Sequence, residues 1–155
     1  MKFRNDTKWT DSFLKNLIRW CCAELGMPAE AIMAANFGIH KDPEKWAGRA
    51  NYRNMSIYIR VGGWIKYPTR SAWNEKSKRA DPFWYHDEIE VLVNITAHEI
   101  SHLHWHHDGR SWDGTEGDIQ GIGDWIVRVF RPQREELLRT WEIPEGNLRS
   151  AATSQ

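Results

Sequence analysis

From Glu88 to Ile100 the apolar residues Ile89, Leu92, Val93 and Ile100 recur at the spacing of one helix face. The same stretch carries His98, Glu99 and His102 in the pattern His-Glu-x-x-His. A helix that buries its apolar face makes an unpaired ionisable cluster costly, so these side chains need a joint purpose. At about 3.6 residues per turn, the imidazoles of His98 and His102 leave the same helix face. Two imidazoles so placed can bind one Zn²⁺ ion at ordinary Zn–N distances. Glu99 points about 100° further round the helix, beside such an ion rather than on it. There its carboxylate can take a proton from a water whose pKa zinc has lowered towards neutrality. The plainer reading is a surface helix whose histidines hold metal adventitiously, and the buried apolar face argues against it.

The chain of 155 residues is long enough for one domain with a real core. The sequence pattern assigns residues 1–145 to that domain and 146–155 to a flexible tail. Lysine plus arginine balance aspartate plus glutamate at 21 each, so no global field favours nucleic acid or a membrane. Ten tryptophans are core filler, a substrate platform, or both. Cys21 and Cys22 are adjacent in a helical pattern and point in different directions, as reduced residues of a reducing compartment do. No apolar run approaches the length of a membrane span, and Met1–Asp6 has no signal-peptide pattern. A cytoplasmic protein is expected.

The elements read as an α+β fold: an N-terminal helix, a small antiparallel sheet, the long histidine helix and further C-terminal helices. Residues 1–9 read as a polar lead-in. Thr10 is a suitable N-cap for a helix reaching about Leu25, with Phe13, Leu14, Leu17, Ile18, Cys21 and Leu25 on its apolar face. Gly26 and Pro28 end it. Residues 29–39 fit either a helix extension or a short strand, and 40–48 read as loop. Asn54–Val61 alternates as a strand. Gly62-Gly63 and then Trp64–Tyr67 read as the turn and second strand of a hairpin. Gly109 is a natural helix stop, and Thr115 can cap a next helix whose core face is Ile119, Ile122, Trp125, Ile126, Val129 and Phe130. Pro132 marks a break before a charged helix, Gln133–Trp141.

Residues 60–79 hold six Lys/Arg and one acid, Glu75, with Trp64, Tyr67 and Trp73 among them. Such a strip can stack and neutralise a single-stranded nucleic acid or hold an acidic peptide. The balanced overall charge favours a solvated loop with buried tryptophans.

The element order and motif resemble the zincin metallopeptidases, and within them the small intracellular SprT-like and minimal zincin domains. The opening Arg4-Asn5-Asp6-Thr7-Lys8-Trp9 resembles the start of small phage-associated metallopeptidases. The resemblance implies one Zn²⁺ per chain and peptide-bond hydrolysis with Glu99 as general base. It also implies a protein or peptide substrate laid along a sheet edge as an added strand, a role that would fall on Asn54–Val61. A catalytic zinc needs a third protein ligand. Metzincin and SprT-like patterns both align Asp108 with it, although Trp105 stands where metzincins have a turning glycine. His106 or His107 serve only if the last helical turn unwinds. A gluzincin-like arrangement takes Glu116 or Asp118 from the next helix. A transition-state donor is also expected, with Tyr85, His86 and His104 as candidates. The alternative to a peptidase is a zinc-containing regulatory domain that binds nucleic acid or a protein partner.

Overall fold

The computed structural model describes residues 1–70, 83–107 and 116–142, with the backbone alone at 116–118 and 120. Over these residues the protein is a mixed α+β fold. The strands are β1 (Lys2–Asn5), β2 (Ala34–Ile39), β3 (Ala47–Asn51), β4 (Ser56–Val61), β5 (Thr69–Arg70) and β6 (Trp84–Tyr85). The helices are α1 (Asp11–Leu25), α2 (Glu88–His107), α3 (Glu116–Phe130) and α4 (Arg134–Glu142).

The boundaries of α1 follow from local chemistry. Thr10 Oγ1 accepts a hydrogen bond from the Phe13 amide at 3.1 Å, which satisfies one of the free donors of the first turn. Gly26 ends the helix in the left-handed region at φ 76°, where a glycine meets no Cβ penalty. Phe13, Leu14, Leu17, Ile18, Cys21 and Cys22 form its buried face. At α2, Asp87 Oδ1 accepts from the Glu90 amide and is also held by Arg134.

The main sheet has strand order β1-β2-β4-β3. β1, β2 and β4 are parallel, and β3 runs antiparallel along β4. The sheet departs from the sequence expectation in three respects. First, the sheet preceding α2 is mixed and four-stranded, and residues 1–9 contribute a strand to it. Phe3 is the one apolar residue of β1 that turns inward, its ring 6.0 Å from that of Phe37. The strand exists because Ala34–Phe37 supply its hydrogen bonds across the α1 crossover.

Second, Gly62-Gly63 does not make a hairpin. A Cβ at Gly62 would stand 2.4 Å from the Lys45 carbonyl oxygen and 2.6 Å from that of Pro43. The Trp64 amide donates to Pro43 O at 2.8 Å. The glycine therefore allows the chain to cross residues 43–45 closely, and the next pairing is β5 with β6. Third, Asn54–Val61 has no free edge, because β4 lies between β2 and β3. The outer strand beyond β4 is β3, in a stretch that begins within the expected loop. The ambiguous 29–39 segment contains both possibilities in short form: a 3-10 turn at Ala29–Ala31 and then β2.

One sheet face is apolar. Ala35, Phe37, Ile57 and Ile59 share a core with Leu14 and Ile18 of α1, Leu92, Val93 and Ile100 of α2, and Phe130 of α3. On the other face Lys2, Arg4, Arg49 and Tyr58 are exposed, and Asn36 and Arg60 are half-buried. In α3 the stripe Ile119, Gly123, Ile126 and Phe130 faces inward. This turns Trp125 outward, half exposed, against its expected place on the core face. Trp20, Phe130 and Trp141 interlock at centroid distances of 5.8–5.9 Å, so some tryptophans do serve as core filler.

Helix α2 runs antiparallel to α3. Asn94 Nδ2 donates to Asp124 Oδ1 at 3.0 Å, and further back Glu90 meets Arg131 through two bonds of 2.8 and 3.2 Å. Glu90 is only 2% exposed; its carboxylate also accepts from the His86 amide. Among the described residues, no helix is long and apolar enough to cross a membrane.

Candidate metal centre

The buried helix α2 presents its polar residues beneath the outer strand. The Nε2 atoms of His98 and His102 stand 3.1 Å apart, with their rings at 70°. Oε1 of Glu99 is 3.8 Å from His98 Nε2. One ligand atom from each of the three residues lies within 4.8 Å of the others. Glu99 and His102 are buried, at 5% and 7% exposure.

Two Zn–N bonds of about 2.0–2.1 Å at a tetrahedral angle separate their nitrogens by about 3.3 Å. The 3.1 Å between His98 and His102 fits that spacing closely. Two imidazoles at this spacing suit zinc, with the Glu99 carboxylate beside them.

The space beside Glu99 depends on β3. Gly48 pairs with Ile59 on the apolar side of the sheet. A Cβ on Gly48 would lie 2.6 Å from Glu99 Oε1 and 2.9 Å from its Cγ and Cδ. The missing side chain is thus what lets the outer strand close over the carboxylate. A cleft of about 300 Å³ opens here, walled by Gly48, Arg49, Ala50 and Tyr52 on one side and by His98, Glu99 and His102 on the other.

The other candidates are placed as follows. Asp108 lies outside the described residues, as do the side chains of Glu116 and Asp118. α2 continues unbroken through His107, so the unwinding that His106 or His107 would need is not found. His106 stacks on Tyr52 at a centroid distance of 4.9 Å. Tyr85 is buried away from the cleft and donates to Asp124 at 3.1 Å. His86 is exposed beside Glu90, and His104 is half-buried and does not line the cleft. Tyr52 and Gly48, in the cleft wall, carry no local sequence signal that marks them. Of the basic strip 60–79, Arg60 lies on the open sheet face and Arg70 stacks over Trp84; residues 71–79 lie outside the described residues.

Comparison with protein-family models, with curated proteins and with solved structures returned no match.

Proposed function

We propose that this chain is a zinc-dependent peptidase of zincin type. The observation that carries the reading is the meeting of His98, His102 and Glu99 in one cleft beneath an outer strand. In this reading His98 and His102 hold the metal through Nε2. Bound zinc supplies Lewis acidity, polarising a carbonyl and making water acidic. Glu99 takes the proton from the attacking water and passes it to the leaving amine. Its burial under Gly48 keeps the carboxylate in one position and limits competing solvent.

A third ligand is required, and the helix pairing favours Glu116. Asn94 sits level with Asp124, and Glu90 with Arg131. Following the two antiparallel helices towards the cleft brings the first turn of α3 level with His102. By the same count along the two backbones, position 116 is the one level with His102. Tyr52, on the cleft wall, takes the role of hydroxyl donor to the developing oxyanion.

The substrate backbone lies along β3 as an added strand. β3 replaces Asn54–Val61 in this role because it is an outer strand and the one that adjoins Glu99. The test is a metal-loaded protein offered unfolded polypeptide: cleavage that stops in Glu99→Gln with zinc retained supports the reading. Cleavage unchanged in Glu99→Gln removes it.

A further inference from the structure

Arg49 stands where two clefts meet. The cleft holding His98, Glu99 and His102 shares Gly48 and Arg49 with a second cleft of about 430 Å³. The second is walled further by Ala47, Asn51, Tyr58 and Arg60. Among the described residues its ionised wall groups are two guanidiniums, with no carboxylate. Arg60 is fixed in place: Nη1 donates to Asn36 Oδ1 at 2.7 Å, and the guanidinium lies 5.5 Å above the Tyr58 ring. Arg49 is exposed, and among the described residues its guanidinium has no hydrogen-bond or ion-pair partner.

The register explains why this pair shares a cleft. Arg49 is opposite Tyr58, and Ala47 is opposite Arg60, so the small Ala47 leaves the Arg60 side open. All four lie on the solvent face of the sheet. A strand added along β3 alternates its side chains between the two sheet faces. Those on the helix side enter the cleft of His98 and Glu99. Those on the other side come beside Arg49, at the separation over which cross-strand charges interact.

We propose that Arg49, with Arg60 behind it, forms a subsite for an aspartate or glutamate side chain of the bound peptide. The proposal rests on the peptidase reading of the same cleft. It gives a chain of zero net charge a local preference for acidic sequences. A lysine at the same place meets like charge and is disfavoured.

Binding and cleavage are measured separately. The binding probe is a labelled peptide of Ala, Ser, Thr and Val carrying one Asp, Asn or Lys walked along its length. Zinc-loaded Glu99→Gln is titrated with it, followed by anisotropy, and wild type is assayed for cleavage of the same set. At one position the Asp peptide binds about fivefold more tightly than the Asn peptide, and the difference shrinks as salt rises. Arg49→Glu in that background reverses the order in favour of Lys, and Arg49→Gln abolishes it. Arg139→Glu, the same charge change on the exposed side of α4, leaves the order intact. An order independent of charge, or unchanged in Arg49→Glu, overturns the subsite. If wild type cuts the peptides without charge preference, the subsite fails and the peptidase reading stands. If acidic peptides bind through Arg49 and none is cut, the subsite stands and the peptidase reading fails. If no peptide binds, both fail.

Discussion

Gly48 leaves Glu99 no more room than it needs: a methyl group on that glycine would come within 2.6 Å of the carboxylate oxygen. Strand β3 and helix α2 are thereby coupled at the proposed base. Gly48→Ala must displace either the strand or the carboxylate. A displacement of about 1 Å at a catalytic group costs on the order of a hundredfold in turnover. The expected outcome is that loss in kcat/KM with zinc content unchanged. Turnover within twofold of wild type would show that Glu99 is not held against β3.

Tyr52 and Tyr85 separate catalysis from stability. Tyr52→Phe removes the proposed oxyanion donor and should lower kcat by about a hundredfold, with little change in unfolding midpoint. Tyr85→Phe removes a buried bond to Asp124 and should cost about 1–2 kcal/mol of stability, with kcat preserved. Steady-state kinetics beside urea unfolding distinguishes the two. The reverse pattern would return the donor role to Tyr85.

The Glu90–Arg131 pair ties the start of α2 to the end of α3. Arg131 also donates to the Trp84 carbonyl at 2.6 Å and lies over Phe83. Arg131→Ala strands a carboxylate that is 2% exposed, at a cost of about 3 kcal/mol. Replacing both residues with leucine should recover much of that loss. Urea denaturation of the single and double variants checks this; a single variant as stable as wild type would contradict it.

Both thiols are buried and free. Burial, with the Cys22 and Glu24 charges adding, pushes Cys21 well above its ordinary range. Burial, with Glu30 adding, pushes Cys22 up to about 12. In the unfolded chain each thiol ionises near its ordinary value of 9.0. Their contribution is therefore whole below about pH 9 and is lost as pH rises towards the folded values. The native protein should resist a thiol reagent at neutral pH, react in full once unfolded, and lose stability in alkali. Rapid labelling of the native state at neutral pH would contradict the burial.

Local periodicity made the motif legible. His98, Glu99 and His102 are set by helix geometry within five residues, and α1 by its Thr10 cap, its apolar spacing and Gly26. The sheet was less legible because its determinants are distant in sequence. β1 has one inward apolar residue and takes its hydrogen bonds from beyond α1. β3, Ala-Gly-Arg-Ala-Asn, lacks the β-branched and aromatic residues that usually mark a strand. The pair Gly62-Gly63 looks the same whether it serves a tight turn or the crossing over Pro43 and Lys45. Gly48 carries meaning only once Glu99 is brought beside it, and Tyr52 only once β3 and β4 have placed it on the cleft wall.

The third ligand can be read from zinc retention. Glu116→Ala should lose most of the bound metal, and Asp108→Ala, Asp118→Ala and His107→Ala should keep it. Loss in Asp108→Ala with retention in Glu116→Ala would move the ligand to the connection between α2 and α3.

Elemental analysis of the purified protein tests the central claim most directly. About one zinc per chain is expected in wild type and in Glu99→Gln, and none in His98→Ala or His102→Ala. A folded wild-type chain that takes up no zinc, or a His98→Ala variant that keeps it, would contradict the metal centre and the hydrolytic chemistry built on it.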